Sequence, residues 1–180
     1  QFQVLIRYLT ILMMCVPLSF GNGFERGLNI PPTQGTSNAG AFEPGLYRFD
    51  YEAGLLKRIK EEGFTHIRVP VNVASAMDNA TLKRIAELFA AVDDQGLICM
   101  FDTNEAGETG HGNGRVNNPV AMAAAWRRIH AAFGRKPGIR YELFNEPFGY
   151  ALNKSSAREY LEEMKYIIEK ARLPEDRCII

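Results

Sequence analysis

The sequence predicts an α/β fold, in which helices cover a parallel sheet. Two observations carry this prediction. Short apolar runs alternate along the chain with longer amphipathic stretches whose apolar residues recur every three or four positions. Glycine or proline follows most of those stretches and marks where a helix ends. Strands that alternate with helices are βαβ units, and such units require a parallel sheet.

Four helices are predicted from apolar spacing together with start and end signals. Each begins near a capping residue or a proline, or at the first apolar position of its stretch, and three of the four stop at or before a glycine. Their predicted starts and ends are Leu55 and Gly63, Asp78 or Asn79 and Gly96, Pro119 and Gly134, and Ser155 or Ser156 and Ala171.

Five apolar segments are predicted to be strands, namely residues 24–30, 64–71, 97–101, 139–144 and 177–180. A doubly wound open sheet and a closed eight-stranded barrel both begin with this order of elements, so the spacing does not decide between them. A barrel of eight units takes about 250 residues. If the fold is a barrel, we expect this sequence to be a fragment that ends in the fifth strand.

The composition excludes several classes of protein. The 180 residues are 46% hydrophobic and 23% charged, as in an ordinary globular domain. Because 21 Lys and Arg are balanced by 21 Asp and Glu, there is no excess of positive charge to bind phosphates, and we expect no nucleic-acid partner. The three cysteines, Cys15, Cys99 and Cys178, form no C-x-x-C motif. We therefore expect neither a disulfide scaffold nor a metal site.

The first 21 residues have the pattern of a secretion signal. Arg7 precedes an uncharged apolar run, residues 8–20, which is shorter than the roughly 20 residues of a spanning helix and is interrupted by Pro17. Ser19-Phe20-Gly21 supplies small residues for signal cleavage. We expect a secreted protein with no stable membrane association after cleavage, whose single domain is residues 22–180. The alternative is an apolar strand or hairpin that closes one end of the fold.

An amide and a carboxylate directly follow the fourth predicted strand. Asn145 and Glu146 come after residues 139–144, and Pro147 then turns the chain into a loop. In parallel α/β folds, ligands and catalytic groups gather outside the carboxyl ends of the strands. These two side chains are therefore candidates for a functional site. The alternative is an ordinary turn with solvated polar groups.

The second predicted strand contains an arginine between apolar residues. Side chains alternate along a strand, so Ile67 and Val69 share one face while Arg68 lies on the other. A guanidinium in such a strand requires a carboxylate partner, because burying an unpaired charge is very costly. Arg68 therefore belongs either to a functional site or to a structural ion pair, for which Glu142 is the candidate partner.

The loop at residues 103–118 is rich in glycine and oxygen ligands, but it matches no known ligand motif. Arg115 stands where a dinucleotide-binding motif needs its third glycine. Ala106 and Asn113 stand where a calcium loop needs an acidic or amide residue and a glutamate. We interpret this segment as a flexible, solvated loop; the alternative is that it forms part of the ligand-binding cleft.

Several segments occur in the order typical of one enzyme family. The sequence resembles glycoside hydrolase family 5, the cellulase-like group of retaining enzymes on a (β/α)₈ TIM barrel. The resemblance runs from about residue 24 to the end and covers about the first four and a half βα units of the barrel. It rests on Gly27-Leu28-Asn29, residues 63–71, Gly96-Leu97 before a strand ending at Asp102, Trp126, and residues 141–147.

The resemblance implies roles for three residues. Glu146 matches the family's general acid/base, Asn145 matches the amide that binds the sugar 2-hydroxyl, and Arg68 matches the arginine that keeps the nucleophile ionised. The implied reaction is retaining hydrolysis of a β-linked polysaccharide, such as a β-glucan or β-mannan, without a cofactor. The family supplies its nucleophile from the seventh strand, so we expect this chain to be truncated before it and inactive alone.

The resemblance also suggests residues that bind the substrate. Asn104 stands where the family has a histidine at the end of the third strand, which leaves the substrate open, and Glu105 follows it. Sugar rings pack on aromatic side chains, and Phe148 and Tyr150 follow the fourth strand. Phe42 and Tyr47, in the first loop, are candidates as well, and we expect at least half of these four aromatic residues to pack in the core instead. The alternative function is a secreted, non-catalytic carbohydrate-binding protein on a degenerate barrel.

Overall fold

The computed structural model describes residues 26–33, 43–49, 54–101, 113–151 and 153–180. Within these residues the strands are β1 (Gly27–Asn29), β2 (His66–Asn72), β3 (Gly96–Phe101), β4 (Ile139–Glu142) and β5 (Cys178–Ile179). The helices are α1 (Leu55–Glu61), α2 (Val73–Met77), α3 (Asn79–Ala91), α4 (Pro119–Phe133) and α5 (Lys154–Ala171). Two 3₁₀ turns span Phe148–Tyr150 and Glu175–Arg177.

The described strands form one parallel sheet in the order β1-β2-β3-β4-β5. Each strand pairs with the next strand along the chain, and at least one α-helix lies between them in sequence. This arrangement confirms the predicted α/β fold and is that of a partial (β/α)₈ barrel. The sheet is not closed.

One face of the sheet is apolar and carries the helices. Val69, Ile98 and Tyr141 are aligned across β2, β3 and β4, and all three are fully buried. Trp126 of α4 meets the Tyr141 ring edge-on, with centroids 5.7 Å apart, and its indole N–H donates to the Leu143 carbonyl at 3.3 Å. Trp126 therefore lies in the core between α4 and the sheet.

The other face carries polar side chains. Pro70, Cys99 and Glu142 are aligned across β2, β3 and β4, and Arg68 lies two residues before Pro70 on the same face. In a (β/α)₈ barrel the face without helices lines the barrel interior. The strand alternation therefore directs Arg68 and Glu142 toward the same interior space.

Asparagine or aspartate side chains cap four of the described helices, α2 to α5. Asp78 accepts a hydrogen bond from the Thr81 amide at the start of α3, and Asn118 caps α4 in front of Pro119. The predicted start of α5 is wrong. Asn153, rather than Ser155 or Ser156, is its cap, because the extended backbone ends there and its Oδ1 accepts from both serine amides at 3.0 Å.

A short helix that the sequence analysis did not predict follows β2. The five residues of α2 begin in a capping box, in which the Ser75 amide donates to Asn72 Oδ1 at 2.8 Å and the Asn72 amide donates to Ser75 Oγ at 2.9 Å. Tyr47, from the loop after β1, is buried beside this helix and donates to the Pro70 carbonyl at 2.7 Å. Tyr47 therefore anchors its loop and does not offer a surface to a sugar.

Several expectations concern residues outside the described part of the chain. These are the signal segment 1–21 and the side chains of Phe42, Asn104 and Glu105. Among the helices that the structure describes, none has the length and apolar character needed to cross a membrane.

Candidate active site

Glu146 occupies an unusual backbone position just beyond β4. Strand-like hydrogen bonding continues past the end of β4, because the Leu143 amide donates to Ile179 and the Asn145 amide donates to Met100. At Glu146 the chain turns away with a φ of 49°, in the left-handed region. A non-glycine residue in this region costs about 1–3 kcal/mol, and such residues cluster at functional sites. The Glu146 side chain is exposed and accepts no hydrogen bond from another described side chain.

Arg68 and Glu142 form a two-point ion pair on the interior face. Arg68 Nε donates to Glu142 Oε2 and Arg68 Nη2 donates to Oε1, each at 2.6 Å. Arg68 Nη1 also donates to Asn29 Oδ1 at 3.1 Å. The carboxylate that the strand position of Arg68 requires is therefore Glu142, and the planar guanidinium binds both of its oxygens.

The same guanidinium reaches Asn145. Arg68 Nη2 donates to Asn145 Oδ1 at 2.9 Å and to Cys99 Sγ at 2.7 Å. A guanidinium can only donate, so Asn145 must present its oxygen to Arg68 and its NH₂ group elsewhere. No described residue accepts a hydrogen bond from that NH₂ group. Asn145 is thus oriented as a hydrogen-bond donor toward any ligand at this end of the sheet.

The Arg68 guanidinium stays charged at this end of the sheet. Burial lowers the pKa of Arg68, but the hydrogen bonds that it donates to Glu142 and the electrostatic influence of Cys99, Glu142 and Glu146 raise it by more, so the net shift of the pKa is upward. The guanidinium therefore stays charged. The Arg68 side chain reaches Asn145, which directly precedes Glu146, so the guanidinium lies close to the end of β4 that carries Glu146.

The two aromatic residues after Glu146 have different environments. Phe148 is 48% exposed, with its ring against the Gly114 backbone, so it can offer an aromatic surface to a ligand. Tyr150 is only 3% exposed, and its ring packs against Tyr160 with centroids 5.0 Å apart. The expectation that Tyr150 binds substrate is corrected here, because a ring enclosed by its own fold cannot stack on a sugar.

A second arginine, Arg115, contacts the turn that follows Glu146. Arg115, just before α4, donates to the Gly149 carbonyl at 3.0 Å and forms an ion pair with Glu159 of α5. Its guanidinium lies 4.3 Å from the centre of the Tyr150 ring. Arg115 therefore ties the segment before α4 to the turn that follows Glu146.

The described residues contain no group of three or more metal-ligating side chains placed to hold an ion. The chemistry available at the end of β4 is that of an exposed carboxylate, an oriented amide and a charged guanidinium. These groups can transfer a proton and donate hydrogen bonds to a polar ligand.

A protein-family model matches the part of the chain that contains this site. The family model described as cellulase (glycosyl hydrolase family 5) matches residues 30–180, which include β2 to β5 and the candidate site. The chain belongs to glycosyl hydrolase family 5. No curated protein matches it at the level required for a relationship. The expected family and fold are thereby confirmed.

Three partners in this family 5 site were missed from the sequence. Cys99 contacts Arg68, and the register of β2 and β3 could have indicated this, since both residues point to the interior face. Glu159 and Glu163 of α5 hold Arg115 and Tyr150, respectively. No sequence signal identified those two contacts, because they join a helix to loops that have no periodic pattern.

Proposed function

We propose that the protein is a retaining O-glycosyl hydrolase acting on a β-linked polysaccharide of the β-glucan or β-mannan type, with Glu146 as its general acid/base. The observation that carries this proposal is the position of Glu146, which is exposed at the carboxyl end of a parallel strand and held in a left-handed backbone conformation. Membership of glycosyl hydrolase family 5 supports hydrolysis of glycosidic bonds in general.

Glu146 has two tasks in this mechanism. Its protonated carboxyl first donates to the oxygen of the leaving sugar, and its carboxylate then removes a proton from the water that hydrolyses the glycosyl-enzyme intermediate. An exposed carboxyl without a cation bound directly to it can exchange protons in both steps. Arg68, which is bound to Glu142, lies near enough to favour anionic groups in the site.

The nucleophile must be a second carboxylate, about 5–5.5 Å from the first. Glu142 is too distant for this role, because it lies four residues before Glu146 along strand-like chain that rises about 3.3 Å per residue. We assign the nucleophile to the seventh strand of the family barrel, which lies beyond the five strands of this sheet.

The neighbouring side chains bind the sugar. The NH₂ group of Asn145, directed away from Arg68, donates to a sugar hydroxyl. Phe148 offers its exposed ring to a sugar face. Asn104 and Glu105, in the preceding loop, remain predicted substrate contacts. Secretion through cleavage after Gly21 belongs to the same proposal, and a secreted product beginning at Asn22 would support it.

The decisive experiment replaces Glu146 by alanine. In the complete enzyme, which includes the strand that carries the nucleophile, Glu146→Ala should slow hydrolysis of natural glycosides by about two to four orders of magnitude, as is typical when a general acid or base is lost. A dinitrophenyl glycoside needs no proton for its leaving group, so a glycosyl-enzyme should accumulate, and added azide should release it faster. Mass spectrometry of the trapped enzyme and rates with and without azide measure both effects.

The matched control is Glu87→Gln, which alters an exposed carboxylate in α3 that pairs with Arg84. This variant should hydrolyse both substrates at the parent rate. If Glu146→Ala hydrolyses polysaccharide as fast as the parent, the acid/base assignment is wrong. Binding of oligosaccharide by the parent without hydrolysis would favour the carbohydrate-binding alternative.

A further inference from the structure

Two backbone hydrogen bonds close the turn that follows Glu146. The Phe148 amide donates to the Glu146 carbonyl at 2.7 Å, and the Tyr150 amide donates to the Pro147 carbonyl at 3.1 Å. The backbone from Glu146 to Tyr150 is therefore one compact unit. Any displacement of Tyr150 is passed to Glu146 through these short hydrogen bonds.

Tyr150 fixes the far end of this unit through its hydroxyl. The hydroxyl donates to Glu163 Oε2 of α5 and accepts from the Val116 amide at 2.8 Å. Burial, followed by the hydrogen bond to Glu163, raises the pKa of Tyr150 well above its usual value. The hydroxyl therefore stays protonated and donates a hydrogen bond to Glu163 at any ordinary pH. One side chain thus joins α5, the segment before α4 and the turn.

Arg115 clamps the same turn from the side. Its Nη1 donates to the Gly149 carbonyl at 3.0 Å, and its guanidinium covers the Tyr150 ring at 4.3 Å from the centroid. Its second amino group pairs with Glu159 of α5. A cation over a tyrosine face is attracted by the ring's negative π-surface.

The two loops approach so closely that glycine is required at the crossing. A Cβ on Gly149 would lie 2.2 Å from the Asn113 carbonyl oxygen and 2.9 Å from that of Gly114. Gly114 itself has a φ of +66°, and its carbonyl accepts from the Gly149 amide at 3.1 Å. The segment before α4 and the turn after Glu146 are therefore packed backbone against backbone.

We propose that Tyr150 and Arg115 are positioning residues that hold Glu146 in its left-handed conformation by locking the turn after it to the segment before α4 and to α5. This proposal rests on the proposed function of Glu146 for its catalytic consequence, but not for the lock itself. It gives Tyr150 a role within the fold in place of substrate binding. Glu163, through Tyr150, belongs to the same lock.

The test compares Tyr150→Phe with Tyr160→Phe. Both variants remove one hydroxyl from the same pair of packed rings. The Tyr160 hydroxyl is buried and has no hydrogen-bond partner among the described residues, whereas the Tyr150 hydroxyl has two. Tyr160→Phe therefore controls for every effect of a lost hydroxyl other than the lost hydrogen bonds.

The first measurement is amide hydrogen exchange in the full 180-residue chain. In Tyr150→Phe, the amides of Phe148, Gly149 and Tyr150 should exchange at least about tenfold faster, while those of β2 and β3 remain unchanged, because the opening is local. In Tyr160→Phe, the exchange rates of both groups of amides should stay at their parent values. Equal exchange in the two variants would overturn the lock.

The second measurement separates positioning from general destabilisation. In the active enzyme, Tyr150→Phe should lower kcat for natural glycosides by about tenfold to a hundredfold with KM unchanged, as small misplacements of a catalytic group do. Hydrolysis of dinitrophenyl glycosides should lose much less in its first step, since that step needs no proton from Glu146.

The conservative variant Glu163→Gln keeps an oxygen that can accept from Tyr150, so it should retain most of the parent kcat. Equal slowing of both substrate classes by Tyr150→Phe would overturn the positioning role. Undiminished hydrolysis by Glu146→Ala would instead overturn the proposed function. The difference in amide exchange between Tyr150→Phe and Tyr160→Phe would still show whether Tyr150 holds the turn in place.

Discussion

Two arginines hold the chain on either side of Glu146, and they do so in different ways. Arg68 lies on β2 and reaches partners from three other parts of the sheet, while Arg115 lies in a loop and contacts a turn and a helix. The partners of Arg68 are Asn29, Cys99, Glu142 and Asn145. The partners of Arg115 are Gly149, Tyr150 and Glu159.

Burial separates the two clusters further. The side chains of Arg68 and Glu142 are 21% and 20% exposed, whereas those of Arg115 and Glu159 are 29% and 50% exposed. Removing one member of a buried pair leaves an uncompensated charge, which is strongly destabilising. Exposed pairs are screened by water and contribute little. We therefore expect the Arg68 cluster to stabilise the fold and the Arg115 cluster to order the turn after Glu146.

The largest effect is expected from Arg68→Ala. This change leaves the Glu142 carboxylate unpaired in a mostly buried position, so the free energy of unfolding should fall by about 3 kcal/mol, the lower end for broken buried pairs. Urea denaturation measures it. The double variant with Glu142→Gln should recover part of the loss, since it removes the stranded charge. If Arg68→Ala costs no more than Arg115→Ala, the contrast between the clusters is wrong.

An intermediate effect is expected from Gly149→Ala. The added methyl group would meet the backbone oxygens of Asn113 and Gly114 as well as the Arg115 side chain, and overpacking of this kind costs about 2 kcal/mol. Urea denaturation measures the loss of stability, and amide exchange at Phe148 shows whether the turn opens. Gly54→Ala is the contrast, because its Cβ meets no atom within 4 Å. That variant should strain its own left-handed backbone and leave exchange at Phe148 unchanged.

The smallest effect on stability is expected from Arg115→Ala. Its ion pair with Glu159 is half-exposed, so the urea midpoint should move much less than in Arg68→Ala. Exchange of the Gly149 amide should still become about fivefold faster, because the turn loses a side-chain contact. An Arg115→Ala midpoint that falls as far as that of Arg68→Ala would show that both clusters carry stability.

The fold could be predicted because its signals are periodic. Apolar residues recur at helical spacing in α3, α4 and α5, and the central strand β3 is a run of buried apolar residues. End points were less certain. Asn153 rather than a serine caps α5, and α2 was missed because a five-residue helix is too short to show a period.

In the candidate site, too, only the residues on strands could be placed from the sequence. The sequence indicated that Arg68 needs a carboxylate and named Glu142 as the alternative to a catalytic partner, since strand alternation places both on one face. It did not indicate that Tyr150 is enclosed, because an aromatic residue in a loop has no pattern that separates a buried ring from an exposed one. Phe148, two residues earlier, has the same residue class and the opposite environment.

By itself, the sequence determined the parallel sheet, the face on which Arg68 lies and the place of Glu146 at the end of a strand. These follow from local rules, since side-chain direction in a strand is set by position alone. Only the tertiary structure decided that Arg115 and Glu163 both contact Tyr150, in the turn that follows Glu146. Their contacts join a loop, a turn and a helix across as many as 44 residues of chain. Such contacts depend on how the elements pack, and no local pattern encodes them.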